Sequence, residues 1–421
     1  MTRRQYLIDQ TIIVRNVLQV ALPLHRLRTS TPGPVIPETA TRFAIIAGDA
    51  SDPSGSLGDM AMFSALMQSL RAQNPNATFT IIGERSHTIV VPGIGETPVV
   101  PAWAGTTGTI AFDKLIRQHH ALFVMGADIL DGKYGASLVQ RIVAYCNHSV
   151  LLGIPATMLG FSFNRNPRDP AVHALSRLHP KVTVNIRDQP SLDRFTRIVG
   201  IPARLCADIA FLMPPAAATA PESAPEDWIA AMRLEGRTPV GINLNAHALA
   251  PAIAQAGMDV LIDHIADQLK HAGEQHVLAF MLLPHDLKLQ SGDVAMLQTL
   301  ENKLKLKGFS HVRYTSIDHP DRIKRVVGLL DLVVTGRMHL VIASLGSGTP
   351  TLSITYQDKF EGLYQHFGLS LKHTISPMQC LNHEFLTRLN NAYTQRHTMS
   401  AQIRARLPQV KELASRNLIV D

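Results

Sequence analysis

Cysteine is scarce in this 421-residue chain: Cys146, Cys206 and Cys380 are its three, far apart and with no CxxC pair. That spacing excludes a disulfide framework and a thiolate zinc site, and it fits a reducing compartment. Aromatic residues make up 5%, and the 40 Lys and Arg that outnumber 33 Asp and Glu to give a net charge of +7 are scattered along the chain. A nucleic-acid platform interleaves basic and stacking side chains, so nucleic acid is not expected as a partner. The surplus charge suits anionic small molecules or an anionic membrane surface. No uncharged apolar run approaches ~18 residues, which argues against a membrane-spanning helix. Asp9, Arg15 and His25 interrupt the opening segment, and no small-residue cleavage site follows it, so no secretory signal is read and a cytoplasmic location is expected. None of the 19 histidines falls in HExxH or a similarly compact pattern, so no metal site is expected.

What is present is a well-packed globular composition, 46% hydrophobic and 17% charged, in a strand-helix rhythm. "RFAIIAGDA" reads as a strand ending in a turn, "SLGDMAMFSALMQSLRAQNP" as the helix that follows, and "ATFTIIG" as the next strand. "HHALFVMGADIL", "SVLLGIPATMLGFSF" and "VTVNIRDQPSLDRFTRIVG" repeat the pattern. Residues 91–108, "VPGIGETPVVPAWAGTTG", are rich in Gly and Pro and predict an irregular functional loop. "MPPAAATAPESAPEDW" breaks the rhythm, which restarts at "PVGINLN" with helices predicted at about 257–271 and 291–307. The organisation expected is a basic N-terminal segment (1–40), an α/β domain (41–213), a linker (214–227) and a second α/β domain with C-terminal helices (228–421). Each domain reads as Rossmann-like, and two such domains would face a cleft suited to a substrate.

The stretch "DLVVTGRMHLVIASLGSGTP" (331–350) poses a question: Arg337 and His339 stand between two apolar runs. A strand over Leu332–Thr335, a turn at Gly336 and a helix over about Met338–Leu345 would put them at the carboxyl end of a parallel strand, where open α/β sheets bind ligands. Within one helix, residues two apart point about 200° apart, so the two side chains share a ligand only if Arg337 lies in the turn and His339 opens the helix. The alternative is an arginine capping a strand end and a histidine bonded to a carbonyl. Arg187 ends another predicted strand, where an N-terminal salt bridge is one reading, with Asp188 capping the helix behind it. At the first turn, Gly58 permits close backbone approach and Asp59 either binds a ligand hydroxyl or takes a proton from one, or else begins an ordinary helix. His285, beside Asp286 in "LLPHD", reads equally as a proton carrier and as a turn residue.

Four of these stretches resemble, in order, elements of the polysaccharide pyruvyl transferase family. "SLGDMAMFSALMQSL" is similar to its NxGDxxI turn, "VNIRDQPSLDRFTRIVGI" to RDxxSxxxLxxxGI, "CADIAFLMPP" to DPAFLL, and "VVTGRMHLVIASLGSGTPTLSITYQDKFEGLYQHFGL" to SGRxHxxIxAxxxGxPxxxIxYxxK. The resemblance implies a two-domain architecture like that of glycosyltransferase-B enzymes. It also implies transfer of the enolpyruvyl unit of phosphoenolpyruvate to a saccharide or lipid-linked acceptor, with no further cofactor. The donor is expected in the second domain and the acceptor in the first. Arg187, Arg337, Met338, Gly58 and Lys359 are then expected to bind substrate, although Lys359 reads as readily as a solvated loop residue. His339, Asp59, His285 and Asp128 are the candidates for proton transfer. Ser56 stands where the family has Asn, and Gly126-Ala127-Asp128 where it has GGG. The phosphoenolpyruvate carboxylate and phosphate suit an arginine fork and a helix N-terminus.

The apolar Ile12, Ile13, Val17, Leu18, Leu22 and Leu24 alternate with Arg15, His25, Arg26 and Arg28, with Pro23 expected to break a long helix. This reads either as a basic amphipathic element resting on the inner membrane face or as an arm packed on the second domain.

Overall fold

The computed structural model describes residues 11, 14–30, 41–218, 224–286, 293–355 and 359–419. It divides into two compact units, one of residues 1–54, 62–212 and 412–421, the other of 55–61 and 213–411. The last ten residues therefore join the first unit rather than the second. Asn417 is the reason: wholly buried, it accepts from the Gly160 N–H at 2.7 Å and donates to the Ala207 carbonyl at 2.9 Å. The segment 55–61, likewise, belongs with the second unit.

The first unit carries an eight-stranded sheet. Its strands are β1 (Arg42–Ile46), β2 (Thr78–Gly83), β3 (His87–Val91), β4 (Gly95–Pro101), β5 (Ala121–Val124), β6 (Ala156–Phe161), β7 (Thr183–Ile186) and β8 (Arg204–Leu205), in the order β3-β4-β2-β1-β5-β6-β7-β8. All pairs are parallel except β3 with β4. The central strands are apolar and buried on both faces, as helix-covered parallel strands are. The functional loop expected over 91–108 is instead the second half of a hairpin followed by the helix Gly105–Ile116. Gly93 and Gly95 supply positive φ at its turn, and Pro98 precedes the β2 pairing that begins at Val99. Local composition marks the turn, but the cross-strand partner that makes it a hairpin is not local.

The N-terminal arm packs on this first unit, not on the second. Val20 and Leu24 enter its core, and Thr109 donates from Oγ1 to the Gln19 carbonyl at 2.9 Å. Pro23 does not break the arm. A π-helical turn, Val17–Ala21, precedes the helix Leu22–Ser30, and Thr109 satisfies the carbonyl that proline, lacking an N–H, leaves unpaired four residues back. Ile12 and Ile13 lie outside the described residues.

The second unit holds six parallel strands, β9 (Thr238–Ile242), β10 (Leu278–Leu282), β11 (Val312–Tyr314), β12 (Leu332–Thr335), β13 (Thr351–Ile354) and β14 (Thr374–Ile375), ordered β11-β10-β9-β12-β13-β14. Its core joins β9, β10 and β12 to the helices that flank them. The helix expected to end near 271 runs Met258–His276. Gly273 is not its stop: a methyl group there would lie 2.6 Å from Cζ of Phe309, so glycine admits the ring inside the helix. The linker expected over 214–227 is anchored at its start, where the Ala216 N–H donates to the Asp321 carbonyl and Lys324 donates to the Met213 carbonyl. It ends in the helix Ala224–Leu234, and residues 219–223 lie outside the described part.

Ala127 takes a left-handed φ of 44° in the loop after β5, where the related family has glycine. Such a conformation costs an L-residue about 1–2 kcal/mol. Ala127→Gly is expected to stabilise the protein by up to about 1 kcal/mol, net of glycine's greater freedom in the unfolded chain, which urea denaturation will read.

Candidate functional site

The elements around 331–350 fall as their sequence predicts: β12 over Leu332–Thr335 and a helix over Met338–Leu345 with Arg337 in extended conformation at its cap. The side chains of Arg337 and His339 therefore leave different local geometries. They meet a set of polar groups at the carboxyl ends of three neighbouring strands. β9 contributes Asn243 and Asn245, β10 contributes His285 and Asp286, and β12 contributes Thr335 and Arg337.

Asp293 knits them together from the start of the helix Asp293–Leu306. Fully buried, it accepts from Nη2 of Arg337 at 2.6 Å and from Nε at 3.3 Å. Its Oδ2 also accepts from Nδ2 of Asn243 at 3.1 Å and from the backbone N–H groups of His285 and Asp286 at 3.2 and 3.3 Å. Asn243 in turn accepts from Thr335 Oγ1, which itself accepts from the Arg337 N–H, both at 2.9 Å. The guanidinium is thus fixed in direction, with 22% of its side chain still exposed; Asp286 reaches Nη1 at 3.3 Å from the outer side.

His285 is 5% exposed, and neither ring nitrogen has a hydrogen-bond partner among the described residues. Burial, reinforced by the charges of His339 and Arg337, holds its pKa well below the usual histidine value. It is therefore neutral at pH 7, with a ring acceptor and a ring donor both unclaimed. Nδ2 of Asn245 is a further buried donor without a partner, while its Oδ1 caps the helix Ala246–Ala256 through the Ala248 N–H. Buried polar groups left in this way are what a polar ligand would satisfy.

Gly58 belongs to the same group. A methyl group built on it would overlap Nδ1 of His339 and lie 2.7 Å from Cγ, so only glycine leaves room for the imidazole. Ser56 takes the position of the family's Asn at this helix start. Its carbonyl accepts from the Met60 N–H at 3.0 Å and its Oγ from the Asp59 N–H at 3.4 Å, so serine performs the capping that Asn would. Asp59 is in the first turn of the helix Leu57–Gln73. Met338 opens the Arg337 helix and is buried. Lys359 opens the helix Lys359–Phe367; its side chain lies outside the described part.

Arg187 and Asp128 belong to the first unit. Arg187 is 3% exposed, paired to Asp208 at 2.8 Å and donating from Nε to Ser162 at 2.8 Å. The guanidinium is buried against that carboxylate. Asp188 caps the next helix through the Ser191 N–H at 2.7 Å. Asp128 follows the strained Ala127, and its charge helps raise the pKa of Asp131, though burial of Asp131 is the larger cause. Among the described residues no group of three His, Cys, Asp or Glu side chains is arranged to hold a metal, and no helix is long and apolar enough to cross a membrane. Sequence reasoning missed Asp293, Asn243 and Asn245. The two asparagines of "NLN" at a strand end were a signal; Asp293 looks like any acidic residue in a first helical turn.

The family model for polysaccharide pyruvyl transferases matches residues 57–358, from the turn beside His339 through β13. The chain belongs to the polysaccharide pyruvyl transferase family. Members of this family are transferases, and the matched range contains the whole Arg337 cluster. A search of curated proteins finds no match. Among solved structures the fold is similar to that of Anabaena HepE in complex with UDP-glucose (TM-score 0.53, 13% identity, covering 90% of this chain and 99% of that one). It is also similar to a putative UDP-N-acetylglucosamine 2-epimerase from Listeria monocytogenes (TM-score 0.57, 11% identity, 90% and 95% covered). A third likeness is to an E. coli structure described as trehalose-6-phosphate bound with UDP-2-fluoro glucose (TM-score 0.51, 9% identity, 90% and 98% covered). The fold of this family member is thus α/β of the glycosyltransferase-B type, with two mostly parallel sheets.

Proposed function

We propose that the chain transfers the enolpyruvyl unit of phosphoenolpyruvate to a saccharide of an exopolysaccharide, capsule or cell-wall glycan, or its lipid-linked precursor, forming a pyruvate ketal. The observation that carries this reading is the pre-oriented Arg337 beside two histidines within the family match. Arg337 presents a planar fork to the carboxylate or phosphate of the donor, backed by the N-terminal end of the Met338–Leu345 helix. A proton delivered to C3 of the enol phosphate makes C2 electrophilic, and an acceptor hydroxyl adds there. Phosphate leaves with the bonding electron pair, and a second hydroxyl closes the ketal. One hydroxyl proton replaces that delivered to C3 and the other is released. His339 is assigned to proton transfer. His285, neutral at pH 7, is assigned to hydrogen bonding with the donor, and Asp59 to the acceptor hydroxyl.

Asp286 is the counter-charge an anionic donor must displace or tolerate, whereas Asp293 is the permanent anchor. Asp286→Asn is expected to tighten phosphoenolpyruvate binding roughly three- to tenfold by removing a like charge, measured by calorimetry. An unchanged or weaker affinity would remove Asp286 from the donor's surroundings.

The reading is tested by incubating the protein with phosphoenolpyruvate and a panel of free and lipid-linked saccharides. Acceptor-dependent phosphate release with a new ketal methyl signal in the proton spectrum supports it. Sugar transfer from a UDP- or GDP-sugar, without phosphate release from phosphoenolpyruvate, would overturn it in favour of a nucleotide-sugar glycosyltransferase.

A further inference from the structure

A cavity of about 380 Å³ lies in the first unit between the N-terminal arm and the helices Ala136–Leu151 and Asp169–Leu175. Its walls include Val20 and Leu24 from the arm and Val143, Ala144 and Ala174 opposite. His25, Arg28, His173 and Arg177 also line it, and none of its described lining residues is a carboxylate. The volume lies in the range of small-molecule sites. Partly apolar walls with two arginines and, among the described lining residues, no carboxylate fit a ligand that is apolar along its length and anionic at one end.

The outer face of the arm indicates how such a ligand arrives. Val14, Leu18 and Leu22 are 56%, 59% and 39% exposed and recur every fourth residue, so they form one stripe on the helical surface. Residues 14–30 include Arg15, Arg26 and Arg28 and no acidic residue. An exposed apolar stripe on a basic helix suits the headgroup region of an anionic membrane. The stripe and the cavity share the arm, which is held by Thr109 and by the Asn16–Gln140 side-chain bond of 2.5 Å.

We infer that this cavity binds the phosphate-bearing end of a single-chain prenyl or alkyl phosphate taken from a membrane surface, with the chain against Val20, Leu24, Val143 and Ala144 and the phosphate between Arg28 and Arg177. The inference does not depend on the transfer reaction, because binding is measured without phosphoenolpyruvate or an acceptor.

Farnesyl phosphate, geranyl phosphate, farnesol and inorganic phosphate are titrated separately, below micellar concentration, into the full chain by calorimetry. Farnesyl phosphate is expected to bind in the micromolar range and more tightly than geranyl phosphate, each buried methylene contributing about fourfold. Farnesol is expected to bind at least tenfold more weakly, and inorganic phosphate not to bind measurably. Charge reversal in Arg28→Glu with Arg177→Glu, at solvent-accessible positions, is expected to weaken farnesyl phosphate at least tenfold. Ala144→Leu, which fills the cavity, should do the same; circular dichroism checks that each variant is folded. Equal binding by wild type and the charge-reversed variant would overturn the inference. So would inorganic phosphate binding as tightly as farnesyl phosphate, or no binding of farnesyl phosphate at all.

Discussion

Asp293→Ala is expected to destabilise the protein by about 3 kcal/mol. Removing one partner of a buried ion pair leaves the other uncompensated, which typically costs about 3–5 kcal/mol. The lower end applies because Arg337 keeps 22% exposure and a second carboxylate in Asp286. The loss extends beyond the arginine, since the Asn243 amide and two backbone N–H groups also donate to Asp293. Asp293→Asn preserves shape and some of these bonds, so its cost should be smaller. Urea denaturation measures both. An alanine variant as stable as wild type would show that Asp293 does not anchor the cluster.

The second large effect falls on turnover. His339→Ala is expected to lower kcat on the order of 10² to 10⁴ fold if the imidazole transfers a proton, with little change in stability because no large apolar group leaves the core. If His339 only holds the donor, the KM for phosphoenolpyruvate rises and kcat persists, where chemistry is slow relative to dissociation. Gly58→Ala offers an independent check. Its methyl group would overlap the imidazole, so it should reproduce part of the His339→Ala loss although residue 58 carries no chemistry of its own.

The pH dependence of stability follows from His285. Its folded pKa is depressed by burial and by the neighbouring charges of His339 and Arg337. The unfolded chain therefore takes up a proton near pH 6.5 that the folded site refuses. The contribution of neutral His285 is complete above that value, and it is lost as pH falls from about 6.5 toward the folded pKa.

The strand, turn and helix at 331–350 were legible residue by residue because apolar runs, Gly336 and the helix-ending Gly346 are local signals. Arg337 in the extended cap and His339 in the helix meet the condition that helical angles set for a shared ligand. What surrounds them was not legible. Asp293 is separated from Arg337 by 44 residues, and only the β10-β9-β12 order brings Asn243, His285 and Thr335 to one edge. Gly58 read as a site of close backbone approach; what lies against it is the His339 imidazole, more than 280 positions away in the chain. The anion-binding role of Arg187 came from the family resemblance, and its pairing with Asp208, 21 residues away, is one that no periodicity announces. The β3–β4 hairpin was hidden for the same reason, since Gly and Pro describe its turn equally well as part of a loop.

The central claim, that Arg337 holds phosphoenolpyruvate, is tested most directly by ligand-induced stabilisation of wild type and Arg337→Lys. The substitution keeps the charge and loses the two-pronged fork. At about 100 times the dissociation constant a donor adds about 2.7 kcal/mol, seen as a raised thermal midpoint. The account predicts stabilisation of wild type by phosphoenolpyruvate but not by UDP-glucose, and loss of most of that stabilisation in a folded Arg337→Lys variant at the same concentration. Equal stabilisation of both proteins by phosphoenolpyruvate, or stabilisation of wild type by UDP-glucose alone, would contradict it.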